Sequence, residues 1–380
     1  MKQKTVPCIV YRGGTSRGVF FKESDLPKSK NAQEQIFMSA IDAYNPSQVN
    51  GLGSGTSHTS KVIVIRETDS EEACLAYTFY QVGIGEAVVD SEGTCGNLMA
   101  AVGAYAIDEG FAKIPSADGM CEVTVLNENI NRFIRIKVPV ADGEAQVDGD
   151  YLMAGIVHTG AKISVSILSP AGGKTGAAFP ADMRTQLKMD DRTIAATVSD
   201  IVNPFVFVKA QDFGLDGSEP NHILSQNQHL LTQLETLRLH GAVAAGMSET
   251  VTAAKDVPSI PKIALVAPPR DYLTASGAVV KAEDIDVIAR MLSMGKFHRT
   301  FAGSGLYNLA SALLIDGTIP NECCVAGSQR QQQKIRIGHP DGIAEVTVEL
   351  TADGKDVAAV GLDRTARRIL EGRCYVPGWL

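Results

Sequence analysis

Short runs in which apolar residues alternate with polar ones cover the first part of the chain, and glycine interrupts them at close intervals. Residues 6–11 and 19–21 read as a strand pair around a turn, and 62–65, 76–82, 87–90, 155–158 and 163–167 read as further strands. Residues 121–125 and 132–138 alternate cleanly enough to predict a hairpin. Ile36, Phe37, Ala40 and Ile41 fall on one face at helical spacing, which predicts an amphipathic helix over 31–44. One stretch follows a different rule. After Gly93-Thr94-Cys95-Gly96, residues 97–107 are small or oily on every side, with Asp108 and Glu109 only at the far end. A helix with no polar face is enclosed by other structure.

The second half repeats this plan. Strands are expected at 194–197 and 205–208, a helix over 230–246, and a strand at 262–266. Ile285, Ile288, Ala289 and Leu292 have helical spacing and predict another helix. Phe301-Ala302-Gly303-Ser304-Gly305 then opens an oily helix over 306–314, mirroring the stretch after Gly93. Strand patterns follow at 334–338, 344–350 and 357–361. The expected class is therefore α+β, with two similar domains that each wrap strands round one central helix, the two helix starts facing a shared cleft. The domains are placed at 1–185, with 366–380 returning to the first, and at 186–365.

Composition narrows the function. A length of 380 residues accommodates two cores, and a formal charge of −8 argues against nucleic acid or an anionic membrane surface as partner. An anionic substrate would need a local positive funnel. No run of about 18 apolar residues is present, so no membrane span is expected. The first residues enter a strand pattern without a signal-peptide core, which predicts a cytoplasmic protein. Seven cysteines lie scattered with no C-x-x-C pair, and the histidines never fall at H-x-x-x-H spacing. Neither a disulfide framework nor a metal site is expected.

Three stretches offer chemistry. Cys95 stands where unpaired N–H groups and the helix dipole favour a thiolate, although a cysteine there is also simply a small core residue. Arg12-Gly13-Gly14-Thr15-Ser16-Arg17-Gly18 links two strands, either as a carboxylate or phosphate cradle or as a turn with solvated arginines. Residues 50–61 collect hydroxyls and glycines and end in Lys61. This loop fits neither G-x-G-x-x-G nor G-x-x-x-x-G-K-[ST], and it precedes a strand rather than a helix. Lys61 is either a solvated edge residue or a cleft lysine whose burial favours the neutral, basic amine. The glycine loop at 170–176 lacks the leading glycine of a nucleotide loop, and a nucleotide is rejected there.

At Arg12 to Gly18, Thr59-Ser60-Lys61, Cys95-Gly96-Asn97, Ile337-Gly338-His339-Pro340 and Arg364-Thr365-Ala366-Arg367-Arg368, the chain resembles the PrpF family nearly end to end. That family includes 2-methylaconitate cis-trans isomerase, methylitaconate Δ-isomerase and oxalomesaconate tautomerase. The resemblance implies a diaminopimelate-epimerase-like fold, with a mostly antiparallel mixed sheet round a central helix in each domain, a site at their junction and no cofactor. It associates proton transfer with Lys61 and Cys95. Thiol-pair epimerases of that fold have a second cysteine where this chain has Gly303-Ser304-Gly305, which disfavours a thiol pair. The implied activity is a proton or double-bond shift in a di- or tricarboxylate, which needs a base and donors that hold an enolate-like anion. Arg12, Arg17, Thr15, Ser16, Ser57, Ser60 and the N–H groups of Gly96 and Asn97 are the expected carboxylate ligands, with Gly303, Ser304 and Gly305 from the second domain. An oxo-tricarboxylate tautomerase and a non-catalytic accessory protein for an aconitase-like enzyme are the alternatives. A homodimer is compatible with the same features.

Overall fold

A computed structural model describes residues 2–153, 155–293, 295–324 and 332–378. The chain divides into two compact units, Met1–Leu168 with Asp363–Leu380, and Ser169–Leu362.

In the first unit the strands are β1 (Lys4–Gly13), β2 (Ser16–Lys22), β3 (Lys61–Arg66), β4 (Ala76–Val82), β5 (Gly119–Asn127), β6 (Arg132–Ala141) and β7 (Ile163–Leu168). A strand from far along the chain, Ala366–Val376, returns to pair along β1. The spatial order is the returning strand, then β1 to β7. Neighbours are antiparallel except β2 with β3 and β4 with β5. Each parallel pair needs a crossover, and a helix supplies it: α1 (Lys30–Ile41) between β2 and β3, and α2 (Gly96–Asp108) between β4 and β5.

The second unit repeats this plan with β8 (Thr185–Met189), β9 (Arg192–Ile201), β10 (Asn203–Lys209), β11 (Lys262–Ala267), β12 (Val287–Ser293), β13 (Gln332–His339), β14 (Gly342–Leu350) and β15 (Val357–Arg364). Pairs β10/β11 and β12/β13 are the parallel ones, at the same two places in the order. Helices α3 (Gln228–Ala244) and α4 (Gly303–Leu313) make the corresponding crossovers. The returning strand of the first unit is thus the counterpart of β8. The two units repeat one another strand for strand, including β8 and β12, which the hydrophobic pattern does not assign as strands.

Alternation along the first unit's strands gives each face its own helix. Val10, Val19, Phe21, Val62 and Val64 pack with Phe37 and Ile41 of α1. Residues of the opposite parity face α2: Tyr11 and Phe20 lie against the Tyr105 ring. Every residue from Leu98 to Ile107 is buried, as an all-apolar helix requires. Burial of each large side chain, such as Leu98 or Ile107, stabilises by about 1.5–3 kcal/mol. At the far end Asp108 accepts from the Tyr11 hydroxyl (2.7 Å) and the Ala145 N–H (2.8 Å). Glu109 meets Lys22 and Arg368. Burial works against the Glu109 carboxylate, but these two cations outweigh it and hold its pKa down. They also offset two acids at the negative end of a helix dipole.

Three expectations need correction. Ile285 to Leu292 are not helical: Val287–Ser293 is strand β12, paired to β11 and β13. A central strand covered on both faces is apolar at consecutive positions, so helical spacing arises within it by chance. Residues 155–158 form a turn and bends rather than a strand, with Gly155 at φ +84° and Val157 87% exposed. Of 87–90, only Val89–Asp90 pairs, with β4.

Candidate active site

The β1–β2 hairpin, the start of β3 and the start of α2 come together at one end of the first unit. Gly13 and Gly14 make the close approach possible. A Cβ on Gly13 would lie 2.5 Å from the Asn97 carbonyl oxygen, and one on Gly14 would lie 2.3 Å from Asn97 Oδ1. On β2, an added Cβ at Gly18 would lie 2.9 Å from Leu98 Cδ1 and 3.5 Å from the Lys61 carbonyl. The hairpin therefore lies flat against the first turn of α2, with Lys61 at its side.

Cys95 is the N-cap residue of α2, in extended conformation, and its side chain makes no capping bond. The thiol is half-buried, and Sγ lies 3.8 Å from the hydroxyl of buried Ser16. Asn97 Nδ2 donates to Thr15 Oγ1 (3.0 Å) and Ser16 Oγ (3.4 Å), so the turn hydroxyls and the helix start form one hydrogen-bonded patch. The approach to Cys95 is fixed from β5 and its turn. Asn127 donates to Thr94 Oγ1 (2.6 Å), and Asn129 donates to the Ser91 carbonyl (2.8 Å).

Lys61 opens β3 and is only 9% exposed, so it is not the solvated edge lysine that its loop allowed. Its amine donates to Gln81 Oε1 at 2.7 Å and stands 5.0 Å from the centroid of the Phe79 ring. Gln81 cannot turn its amide over without loss, because Nε2 donates to the Ser60 (2.8 Å) and Ser57 (3.3 Å) carbonyls. Lys61 shares parity with Ile63, opposite to Val62 and Val64, and so projects on the α2 face. Ser16 and Gly18 are on that same face. They are two residues apart along β2, roughly 6–7 Å, with Cys95 over the first and Lys61 beside the second.

The hydroxyls of the preceding loop hold the loop itself. Ser60 Oγ lies between Gln48 Oε1 (2.9 Å) and the Thr56 carbonyl (2.7 Å), and Ser54, Thr56 and Thr59 bond one another. Buried Gln48 also accepts from the Gly55 N–H (2.8 Å). Ser57 is exposed, and its carbonyl serves Gln81.

Arg12 and Arg17 face each other across the hairpin, and Arg12 faces Arg367 of the returning strand. The row has the parity of Val10 and Val19, on the α1 side, away from Cys95. Arg12 Nη1 donates to the carbonyls of Gly14 (3.0 Å) and Thr365 (3.0 Å) and to Thr365 Oγ1 (2.8 Å). Arg17 Nη2 donates to the Leu52 carbonyl (2.9 Å). Burial, and then the positive charge of Arg367, lower the Arg12 pKa. Gly303, Ser304 and Gly305 belong to the second unit, as the first turn of α4. There Gly305 allows close packing, its added Cβ falling 2.6 Å from the Phe205 ring.

Sequence reasoning did not single out Gln48, Gln81, Asn127 or Asn129. All four act by bridging segments distant in sequence. Only Gln81 carries a signal, as a polar residue inside a strand that ends beside a glycine-rich loop; Asn127 ends its strand at a turn without glycine, and Gln48 and Asn129 lie outside strands.

Among the described residues no helix is long and apolar enough to cross a membrane. The chain is 36% identical to 3-methylitaconate isomerase of Eubacterium barkeri, covering 98% of each protein. It is 33% identical to 2-methyl-aconitate isomerase of Shewanella oneidensis (99% and 98% covered) and 29% identical to 4-oxalomesaconate tautomerase of Pseudomonas putida (98% and 96%). The crystal structure of a methylitaconate-delta-isomerase matches with a TM-score of 0.91 at 34% identity, over 99% of this chain and 96% of that one. With the PrpF protein family matching residues 3–377, the chain belongs to the PrpF family.

Proposed function

We propose that the protein is an isomerase that moves a proton, and with it a C=C bond, in an unsaturated di- or tricarboxylate of the methylaconitate or methylitaconate kind. One observation carries this: a buried lysine amine and a half-buried thiol flank one strand on the α2 face, at a helix start that no side chain caps. Relatives at 36% and 33% identity bear the names of such isomerases.

The chemistry follows from the groups. A C–H next to an unsaturated carboxylate is a weak acid, so its removal needs a base and a means of holding the delocalised anion. Lys61, as neutral amine, takes the proton, and the C–H electron pair enters the conjugated system. The N–H groups of Gly96 and Asn97 hold the resulting negative charge at the positive end of the α2 dipole. The Cys95 thiol returns a proton to the other end of the system, leaving an ammonium and a thiolate that solvent re-equilibrates. Gln81 directs the amine, and its own orientation is set by two backbone carbonyls. No cofactor enters this scheme. A tautomerase of an oxo-tricarboxylate would use the same two groups, and the relative of that name stands at 29% identity.

The test is proton NMR in heavy water with a panel of unsaturated di- and tricarboxylates. Turnover with deuterium in the product is expected for at least one methyl-substituted member. If every member binds and none exchanges a proton, the protein is a carboxylate-binding module instead.

A further inference from the structure

The motif 364–368 enters neither the acid–base pair nor the loop scaffold, yet its first residue reaches the site. Arg364 is half-buried, and its Nε donates to Asn97 Oδ1 at 2.9 Å while Nη1 donates to the Asp363 carbonyl at 2.9 Å. Asn97 in turn donates to Thr15 and to Ser16, the serine that touches Cys95. The guanidinium is thus two hydrogen-bonded side chains away from the thiol, and its plane is fixed from two sides. It has no carboxylate partner among the described residues, unlike Arg66, Arg184, Arg238, Arg270, Arg336 and Arg368. Arg12, Arg17 and Arg367 also lack one among the described residues, but their row lies on the α1 side, away from Cys95. Arg364 is therefore the arginine without an acid that is joined to the helix start at Cys95, a partly buried cation that folding alone does not favour. In a chain of net charge −8, it supplies the local positive charge an anionic substrate needs.

Resting on the function proposed above, we propose that Arg364 is the residue that anchors a carboxylate of the substrate at the Cys95 site. Its Nε is held by Asn97, and the guanidinium edge left over takes a planar oxyanion in the paired geometry that arginine offers and lysine does not. The α2 N–H groups are then left for the part of the anion where charge develops. Specificity for substrates carrying more than one carboxylate follows, because one is held by a fixed cation and another joins the reacting system.

The test uses the full-length protein and does not need turnover. Cys95 is alkylated with iodoacetate and with iodoacetamide, modification at that residue is read by peptide mass spectrometry, and the ratio of the two rates is taken. Both reagents see the same thiol, so the ratio reports only the field on an entering carboxylate. Arg364→Gln should lower it at least tenfold, and Arg364→Lys should restore part of it. Tricarballylate should protect Cys95 from iodoacetamide in the parent protein, with the half-protecting concentration rising at least thirtyfold in Arg364→Gln. Melting by circular dichroism checks that both variants fold, and the lysine variant carries the comparison if the glutamine variant does not. An unchanged ratio together with unchanged protection overturns the anchor. Failure of the isomerase function shows separately, as absence of proton exchange in the parent protein with protection by tricarballylate intact.

Discussion

Gly14→Ala tests whether the hairpin and α2 are held in register by Asn97. Gly14 has φ +52°, so alanine there costs about 1–2 kcal/mol from the left-handed backbone alone. Its Cβ would also lie 2.3 Å from Asn97 Oδ1 and 2.8 Å from Cγ. Asn97 cannot yield cheaply, since Arg364 holds its oxygen and Thr15 takes its N–H. Loss of the charged bond costs about 1.5–3 kcal/mol when solvent does not replace it, and loss of the neutral one about 0.5–1.5. Arg364 is half-buried, so water recovers part of the first, and the single variant is expected to lose about 3–4 kcal/mol. In an Asn97→Ala background the clashing oxygen and both bonds are already gone. Only the backbone strain and a tight 3.0 Å Cβ approach remain, and Gly14→Ala should then cost about 1–2 kcal/mol. The double-mutant cycle should therefore show a coupling of about 2 kcal/mol. Urea unfolding followed by circular dichroism measures it, with hydrogen exchange over residues 97–108 assigning the loss to the first unit. Two effects that add within about 0.5 kcal/mol would refute the clash and its relief.

Four further outcomes follow. Cys95→Ser should cut turnover by at least about two orders of magnitude with little change in melting temperature, because oxygen replaces sulfur in size but not in acidity. If Lys61 removes the proton, Lys61→Met should abolish both turnover and exchange into substrate in heavy water, while Cys95→Ser still exchanges the abstracted proton; reversed phenotypes would reverse the roles. Gln81→Glu puts a carboxylate against the Lys61 amine and should move the ascending, acidic limb of the pH–rate profile, where the general base must lose its proton, upward by about one pH unit, whereas Gln81→Met should lower kcat without that displacement. Burial pushes the His339 pKa down to about 4, against an ordinary value near 6.5. The unfolded chain then binds a proton that the fold does not, so stability is full above about pH 6.5 and lost as pH falls toward 4. Over that range the parent should lose about 2–3 kcal/mol more than His339→Gln in urea titrations, and parallel losses would discount the histidine.

Much of the fold is legible in the sequence because α2 and the sheet have opposite needs. A helix enclosed on all sides must be small or oily throughout, and residues 98–107 are; strands with a helix on each face alternate between two apolar layers bounded by glycine turns. The same physics hides β12, where both layers are apolar and period two disappears. From the residues alone Lys61 stays open between a solvated edge and a cleft base, and Cys95 between a core thiol and a reactive one; it is the family resemblance that associates the two with proton transfer. Which way the arginines point could not be read. Arg12 and Arg17 sit in a glycine-rich turn that looks like a cradle, but strand parity, set by Gly13 and Gly18 against Asn97 and Leu98, turns them to the α1 side. Gln48 and Gln81 are invisible for another reason: an amide acquires its role from carbonyls brought to it by folding.

The returning strand has a consequence for how the molecule comes into being. The whole second unit is spliced between Leu168 and the residues that complete the first. A nascent chain that has emerged through β7 has made α2 and most of its wrapping, but β1 still presents a bare edge where Ala366–Val376 will pair. Thr365, which accepts from Arg12 and from the Gly14 N–H, and Arg364, which grips Asn97, are likewise still to be translated. The earliest part of the polypeptide to fold is thus the last to be finished. A ribosome must deliver nearly 200 further residues before the hairpin beside Cys95 is locked, and until then that exposed edge is the chain's principal liability to mispairing.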